Sequence, residues 1–172
     1  MKHLLTPLFC VLAVAAFAQT DILDARTNYG VGQTVTVTGI VTSDGNLGIV
    51  RYLQDETAGI ALYPGGQWTQ NGWPDPQPGD ELTMTGQLSE YNGLLEVGPD
   101  GITDVTVLSS GNPLPEFQTV SPAEMNESLE GELVFIEAAV FTNGGTVITG
   151  NSTFSFNASG EDGIIYVRND NE

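Results

Sequence analysis

The chain has 172 residues, with 22 acidic side chains against four lysines and arginines, and a formal charge of −18. After residue 18 it keeps no cysteine, histidine or lysine; Arg26, Arg51 and Arg168 stand alone against all 22 acids, for a formal −19. That composition excludes disulfides, thiolate metal sites and the Ser-His-Asp and Cys-His schemes, and it removes the histidine general base of many hydrolases.

Residues 1–18 read as a secretory signal peptide. Lys2 and His3 open it, an apolar run from Leu4 to Phe17 follows, and Ala16-Phe17-Ala18 before Gln19 marks the cleavage site. The run is too short to span a bilayer, and no later stretch is long and apolar enough to do so. The expected location is therefore extracellular or at the cell surface.

A first strand is expected where Val35, Val37 and Val41 alternate with Thr34, Thr36 and Thr38, bent at Gly39. Asp44-Gly45-Asn46 signals a turn, and Leu47–Gln54 and Gly59–Tyr63 read as the second and third strands. Pro64–Gly79 is a long loop carrying Trp68 and Trp73. Asp80–Ser89 is a fourth strand, and Asn92-Gly93 a hairpin turn into Leu94–Val97, with Ile102–Leu108 extending or following it. Five strands with a glycine bend and a closing hairpin suit a small curled barrel over 28–110. A linker with a short helix follows over 111–130, its start marked by the capping box Ser121-Pro122-Ala123-Glu124.

From residue 131 the pattern recurs. At an offset of 99, Val35 meets Val134, Val37 meets Ile136 and Val41 meets Val140; at 104, Tyr52 meets Phe156, Gly59 meets Gly163 and Leu62 meets Tyr166. Residues 131–172 thus read as a partial second copy lacking its fourth and fifth strands. The expectation is an N-terminal piece of a longer protein, with strand exchange between chains as the alternative.

The stretches VTVTGIVT, YLQDETAGIALY, PGDELTMTG and LSEYNGLLEV, in that order, resemble OB-fold domains of secreted bacterial proteins, notably of Bacteroidetes. In that family such domains often precede extracellular nucleases, lamin-tail modules or type IX secretion signals. EGELVFIEAAVF and IIYVRND resemble the second OB domain that commonly follows. The resemblance covers about residues 28–172 and implies an all-β, five-stranded OB-type barrel followed by a partial second one.

OB barrels bind through the face of strands two and three and the loops joining strands one to two and four to five. On this chain that surface maps to Arg51, Tyr52, Tyr63, Tyr91 and Asn92, with Trp68 and Trp73 on the loop nearby. Four of them have a plainer reading: Tyr52 in the core, Trp68 and Trp73 plugging a barrel end, Arg51 paired with an acid. No metal or cofactor is indicated. The acid pairs Asp55-Glu56, Asp80-Glu81 and Glu161-Asp162 sit at turns or strand starts, where solvated carboxylates are ordinary, so no catalytic residue is assigned. The expected role is a non-catalytic module holding single-stranded nucleic acid or a glycan for downstream domains of the same polypeptide. The alternative is a spacer with no ligand.

Overall fold

The computed structural model describes residues 19–168; the signal-peptide reading of 1–18 lies outside them. One α-helix, α1 (Ile22–Asn28), precedes β1 (Thr34–Val41), β2 (Arg51–Gln54), β3 (Gly59–Leu62), β4 (Glu81–Tyr91), β5 (Leu94–Val97) and β6 (Asp104–Ser109). The sheet order is β1-β2-β3-β5-β4, and β1 also pairs with β4, so five strands close into a barrel. All pairings in the ring are antiparallel except β3 with β5. This is the OB-type order, with β6 added along β4.

Closure follows from the alternation. Val35, Val37 and Val41 point inward with Leu53, Ile60, Leu62, Leu82, Met84, Leu88 and Val97 to form one buried cluster. On the opposite face of β1 and β4, Thr36 meets Thr85 at 2.8 Å and Thr38 meets Thr83 at 2.6 Å, hydroxyl to hydroxyl. Gly39 stands where β1 turns from β4 toward β2, and a Cβ there would lie 2.6 Å from the carbonyl oxygen of Gln54. Only glycine permits that approach.

The helix α1 had no counterpart in the sequence reading. Its Ile22 and Ala25 are fully buried in the barrel cluster. Its first-turn donors are satisfied from outside: Ile22 N–H donates to Asp55 Oδ2 at 2.8 Å, and Leu23 N–H to Thr57 Oγ1 at 3.1 Å. Asp55 also accepts from the Thr57 and Ala58 amides at 2.7 and 3.0 Å. The acidic β2–β3 turn is therefore both a turn and a helix cap.

The short helix expected to start at Ser121 is not α-helical. Two single 3₁₀ turns, Pro122–Glu124 and Glu127–Leu129, stand there instead. The Ser121–Glu124 box forms, with Ser121 N–H donating to Glu124 at 2.8 Å, but Asn126 is extended and caps the second turn through Ser128 N–H. An Asn side chain competes with helix propagation in this way.

Beyond the barrel lie a parallel pair, β7 (Gln118–Thr119) with β8 (Val134–Phe135), and a sheet of β9 (Val140–Phe141), β10 (Ser152–Ala158) and β11 (Glu161–Val167). In β9–β10, Val140 faces Asn157; at the repeat offsets these are the positions of Val41 and Leu53, which face one another in β1–β2. The likeness is partial. Where β1 runs for eight residues, its aligned segment is split into β8 and β9, with Ala138 at φ 56° between them. The tighter turn at Ser159-Gly160 also places Gly163 opposite Phe156, not Ala158.

Candidate functional site

A cleft of about 480 Å³ opens on the outer face of the barrel. Leu47, Ile49 and Val50 of the β1–β2 connection wall one side, and Tyr91 and Leu94 of the β4–β5 hairpin the other. Tyr52 of β2, Tyr63 just past β3 and Glu96 of β5 form the floor, while Tyr166 and Arg168 at the end of β11 complete the rim. Its size suits a small ligand or a short stretch of polymer. A second, larger depression of about 710 Å³ is lined by Asp55, Glu56, Glu81, Glu116 and Glu132 and by no aromatic ring. Only the first brings tyrosines together, four of them.

Local geometry explains why the rings meet. Asn92 and Gly93 take φ 53° and 89°, so the β4–β5 hairpin turns tightly and leaves Tyr91 opposite Leu94 at its tip. Tyr91 remains 67% exposed. Tyr52 is half-buried, on the strand face opposite Leu53. Burial raises its phenol above the ordinary value; Glu130 adds to the rise, Arg168 opposes it, and Glu96 adds a smaller contribution.

Glu96 is the buried acid of the site. Its Oε1 lies 3.1 Å from Ser89 Oγ, and burial raises its carboxyl above the usual range while the Ser89 hydrogen bond opposes the shift. Sequence reasoning missed Glu96, Tyr166 and Arg168. Glu96 was detectable in principle: it alternates with Leu95 and Val97, and so shares the strand face of the hairpin-tip residues. Tyr166 and Arg168 carry no such signal, because they come from the end of β11 and the residue after it, a strand that begins more than 60 residues beyond β5.

Not every residue expected on the ligand face lines this cleft. Tyr52, Tyr63 and Tyr91 line the cleft, and Asn92 sits exposed at the hairpin tip beside it. Arg51 does not line it. Its guanidinium is buried, donating to the carbonyl oxygens of Pro76 (3.0 Å), Gly48 (2.7 Å) and Val50 (3.1 Å) and to Asp75 Oδ1 (2.7 Å). Trp68 is buried in the barrel cluster and donates its indole N–H to Ile49 O at 2.7 Å. Trp73 packs on that cluster, part-buried, with its amide donating to Trp68 O. Both tryptophans hold the wall of the cleft, not its surface.

The third cation, Arg26, is also engaged. It donates to the carbonyls of Gly59 (3.0 Å), Glu130 (3.3 Å) and Glu127 (3.0 Å) and pairs with the Glu127 and Glu130 carboxylates. Arg168 makes no ion pair among the described residues.

No family model matches the chain. Over 131 residues it is 30% identical to Endonuclease YhcR of Bacillus subtilis (strain 168), a match that covers 71% of this chain. The chain spans about a tenth of that relative's length. Among the described residues, no helix is long and apolar enough to cross a membrane.

Proposed function

We propose that this chain is a secreted, non-catalytic OB-type module that holds single-stranded nucleic acid on its tyrosine cleft for a catalytic partner domain. The observation that carries this reading is the convergence of Tyr52, Tyr63, Tyr91 and Tyr166 on the β2–β3 face, between the two connections with which OB barrels bind. Similarity to part of an endonuclease supports nucleic acid as the ligand. Each ring that stacks on a base contributes about 1–3 kcal/mol whatever the sequence.

Charge dictates how such binding works. Arg26 and Arg51 are tied to internal carbonyls and carboxylates, so Arg168 is the cation on the cleft rim. One phosphate contact gives a salt slope near −0.7 on a single strand. Affinity then comes from rings, and the surrounding acids are screened beyond about 8 Å at physiological salt. The same acidity favours a second reading, a neutral glycan, whose sugar faces stack on tyrosines without meeting phosphate repulsion.

Titration of the purified chain with labelled oligo-dT and with neutral oligosaccharides tests this. Binding of oligo-dT with a salt slope shallower than −1, weakened about tenfold in Tyr91→Ala, is the expected result. Binding of sugars alone selects the glycan reading. Binding of neither leaves a spacer.

A further inference from the structure

Stacking leaves one feature of the cleft without a use. Glu96 is only 5% exposed, yet it lines the cleft floor together with Tyr52 and Tyr63. An ionised carboxylate has two oxygens and accepts about four hydrogen bonds. Glu96 receives one contact, from Ser89 Oγ to Oε1. Even that contact is contested, because the single Ser89 hydroxyl proton also faces the carbonyl oxygen of Gly98. No fully buried side-chain oxygen or nitrogen among the described residues lacks a partner. Glu96 Oε2 has no partner among the described residues and so is not fully buried, and Glu96 lines the cleft. The site therefore presents rings for a planar ligand and, at its base, an under-satisfied acceptor.

A base laid against a tyrosine ring exposes its hydrogen-bonding edge in its own plane. Cytosine, adenine and guanine carry an amino group on that edge, and a carboxylate accepts from the cytosine N4 amino group in known base readout. Thymine and uracil offer one ring N–H flanked by two carbonyl oxygens, which would press against the same carboxylate. An acceptor facing an acceptor in a dry site forfeits a hydrogen bond and still requires desolvation.

We propose that Glu96 is a specificity-determining residue, which makes the cleft prefer amino-bearing bases over thymine and uracil. Ser89 acts as its positioning residue, fixing Oε1 so that Oε2 points outward. The inference rests on the reading of the cleft as a nucleic-acid site. Cytosine against thymine is the cleanest comparison, because the two pyrimidines stack with similar area and differ chiefly at the edge that Glu96 would read.

The test is an anisotropy titration of the purified chain at about pH 8, well above the ordinary carboxyl range, with labelled oligo-dC and oligo-dT of equal length. Wild type is expected to bind oligo-dC about tenfold more tightly, the scale of one charge-assisted hydrogen bond. In Glu96→Gln the amide can turn either its carbonyl or its amino group to the base, so the ratio should fall to within about twofold while oligo-dT binding improves. Ser89→Ala, which leaves every ring in place, should shrink the ratio by a smaller factor. Near-UV circular dichroism of each variant confirms that the aromatic packing survives. Equal binding of both oligomers by wild type, or an unchanged ratio in Glu96→Gln, overturns the inference while leaving the nucleic-acid reading intact. Binding of neither oligomer by wild type overturns both.

Discussion

Gly59 and Gly131 pack backbone against backbone. A Cβ on Gly59 would lie 2.2 Å from the carbonyl carbon of Gly131, and one on Gly131 would lie 2.7 Å from the Ile60 amide nitrogen. Gly59 opens β3, and Gly131 lies between the 3₁₀ turn Glu127–Leu129 and β8. Leu133 N–H, two residues on, donates to Gln54 Oε1 at 3.0 Å, so the segment lies along the β2–β3 edge of the cleft face.

Both glycines are therefore expected to resist substitution, for different reasons. Gly59→Ala adds a methyl where only backbone stands, and overpacking of this kind costs about 1–3 kcal/mol. Gly131→Ala adds the same clash and a strained φ, since Gly131 sits at +82°. Urea denaturation should show Gly131→Ala as the more damaging. Gly145→Ala is the matched control: it shares a positive φ but has nothing within 4 Å of its would-be Cβ, so the backbone contribution can be subtracted.

Arg26 secures the same junction from the helix side. It ties α1 to the Gly59 carbonyl on β3 and to the Glu127 and Glu130 carbonyls at the end of the linker, with its side chain 9% exposed. Arg26→Gln keeps much of the packing but loses the fork of donors. Three carbonyls lose charged donors, and the expected destabilisation is about 1–3 kcal/mol. Limited proteolysis should show faster cleavage within residues 109–133 while the barrel persists. Equal cleavage rates in variant and wild type would mean that the junction is held by other contacts.

The barrel was legible in the sequence because its signals are local. Alternating Val and Thr specify β1, Asn92-Gly93 specifies the hairpin, and Gly39 marks the bend; each depends on sterics within a few residues. What was not legible depends on distant partners. The seven residues of α1 are too few to be helical alone, and their cap comes from Asp55 and Thr57, more than 30 residues away. Arg51 misleads in the opposite way. It shares a strand face with the fully buried Leu53, a position that apolar patterning reserves for core, but its charge invites a ligand-facing reading. Only the carbonyls of Gly48, Val50 and Pro76, gathered by loops, show why the guanidinium can be buried. The same alternation then puts Tyr52 on the outer face. Tyr166 and Arg168 reach the cleft through tertiary packing that no local pattern announces.

Glu96 gives the site a pH-dependent stability with a defined sign. Burial raises its carboxyl above the ordinary 4.5. The folded chain therefore binds this proton more tightly than the unfolded chain. Its contribution favours folding at acid pH, declines as pH rises from 4.5 through the raised value, and stays diminished above it. Glu96→Gln cannot ionise. Thermal melts of both proteins from about pH 4 to pH 8 should diverge, with the variant gaining relative to wild type as pH rises. Taking the difference cancels the other carboxyls, including Glu132, which burial also raises. A variant that loses ground toward neutral pH would mean that the ionised Glu96 is stabilised by its surroundings and is not an under-satisfied acceptor.

Arg51 distinguishes structural support from ligand contact. Its four donations join the β1–β2 connection, through Gly48 and Val50, to the loop bearing Asp75 and Pro76. That connection walls the cleft at Leu47, Ile49 and Val50. Arg51→Gln should cost about 1–3 kcal/mol of stability, because three carbonyls lose their donors. Arg51→Lys should recover part of this, since an ammonium keeps the charge but not the planar fork. Both variants should weaken oligonucleotide binding by loosening the wall. The salt slope decides the cause. An arginine on a phosphate contributes about −0.7 to it on a single strand, so its loss would flatten the slope by that amount. A buried clamp contributes nothing. The expected result for Arg51→Gln is lower affinity at unchanged slope, whereas Arg168→Gln, on the rim, should flatten the slope toward zero with little change in stability.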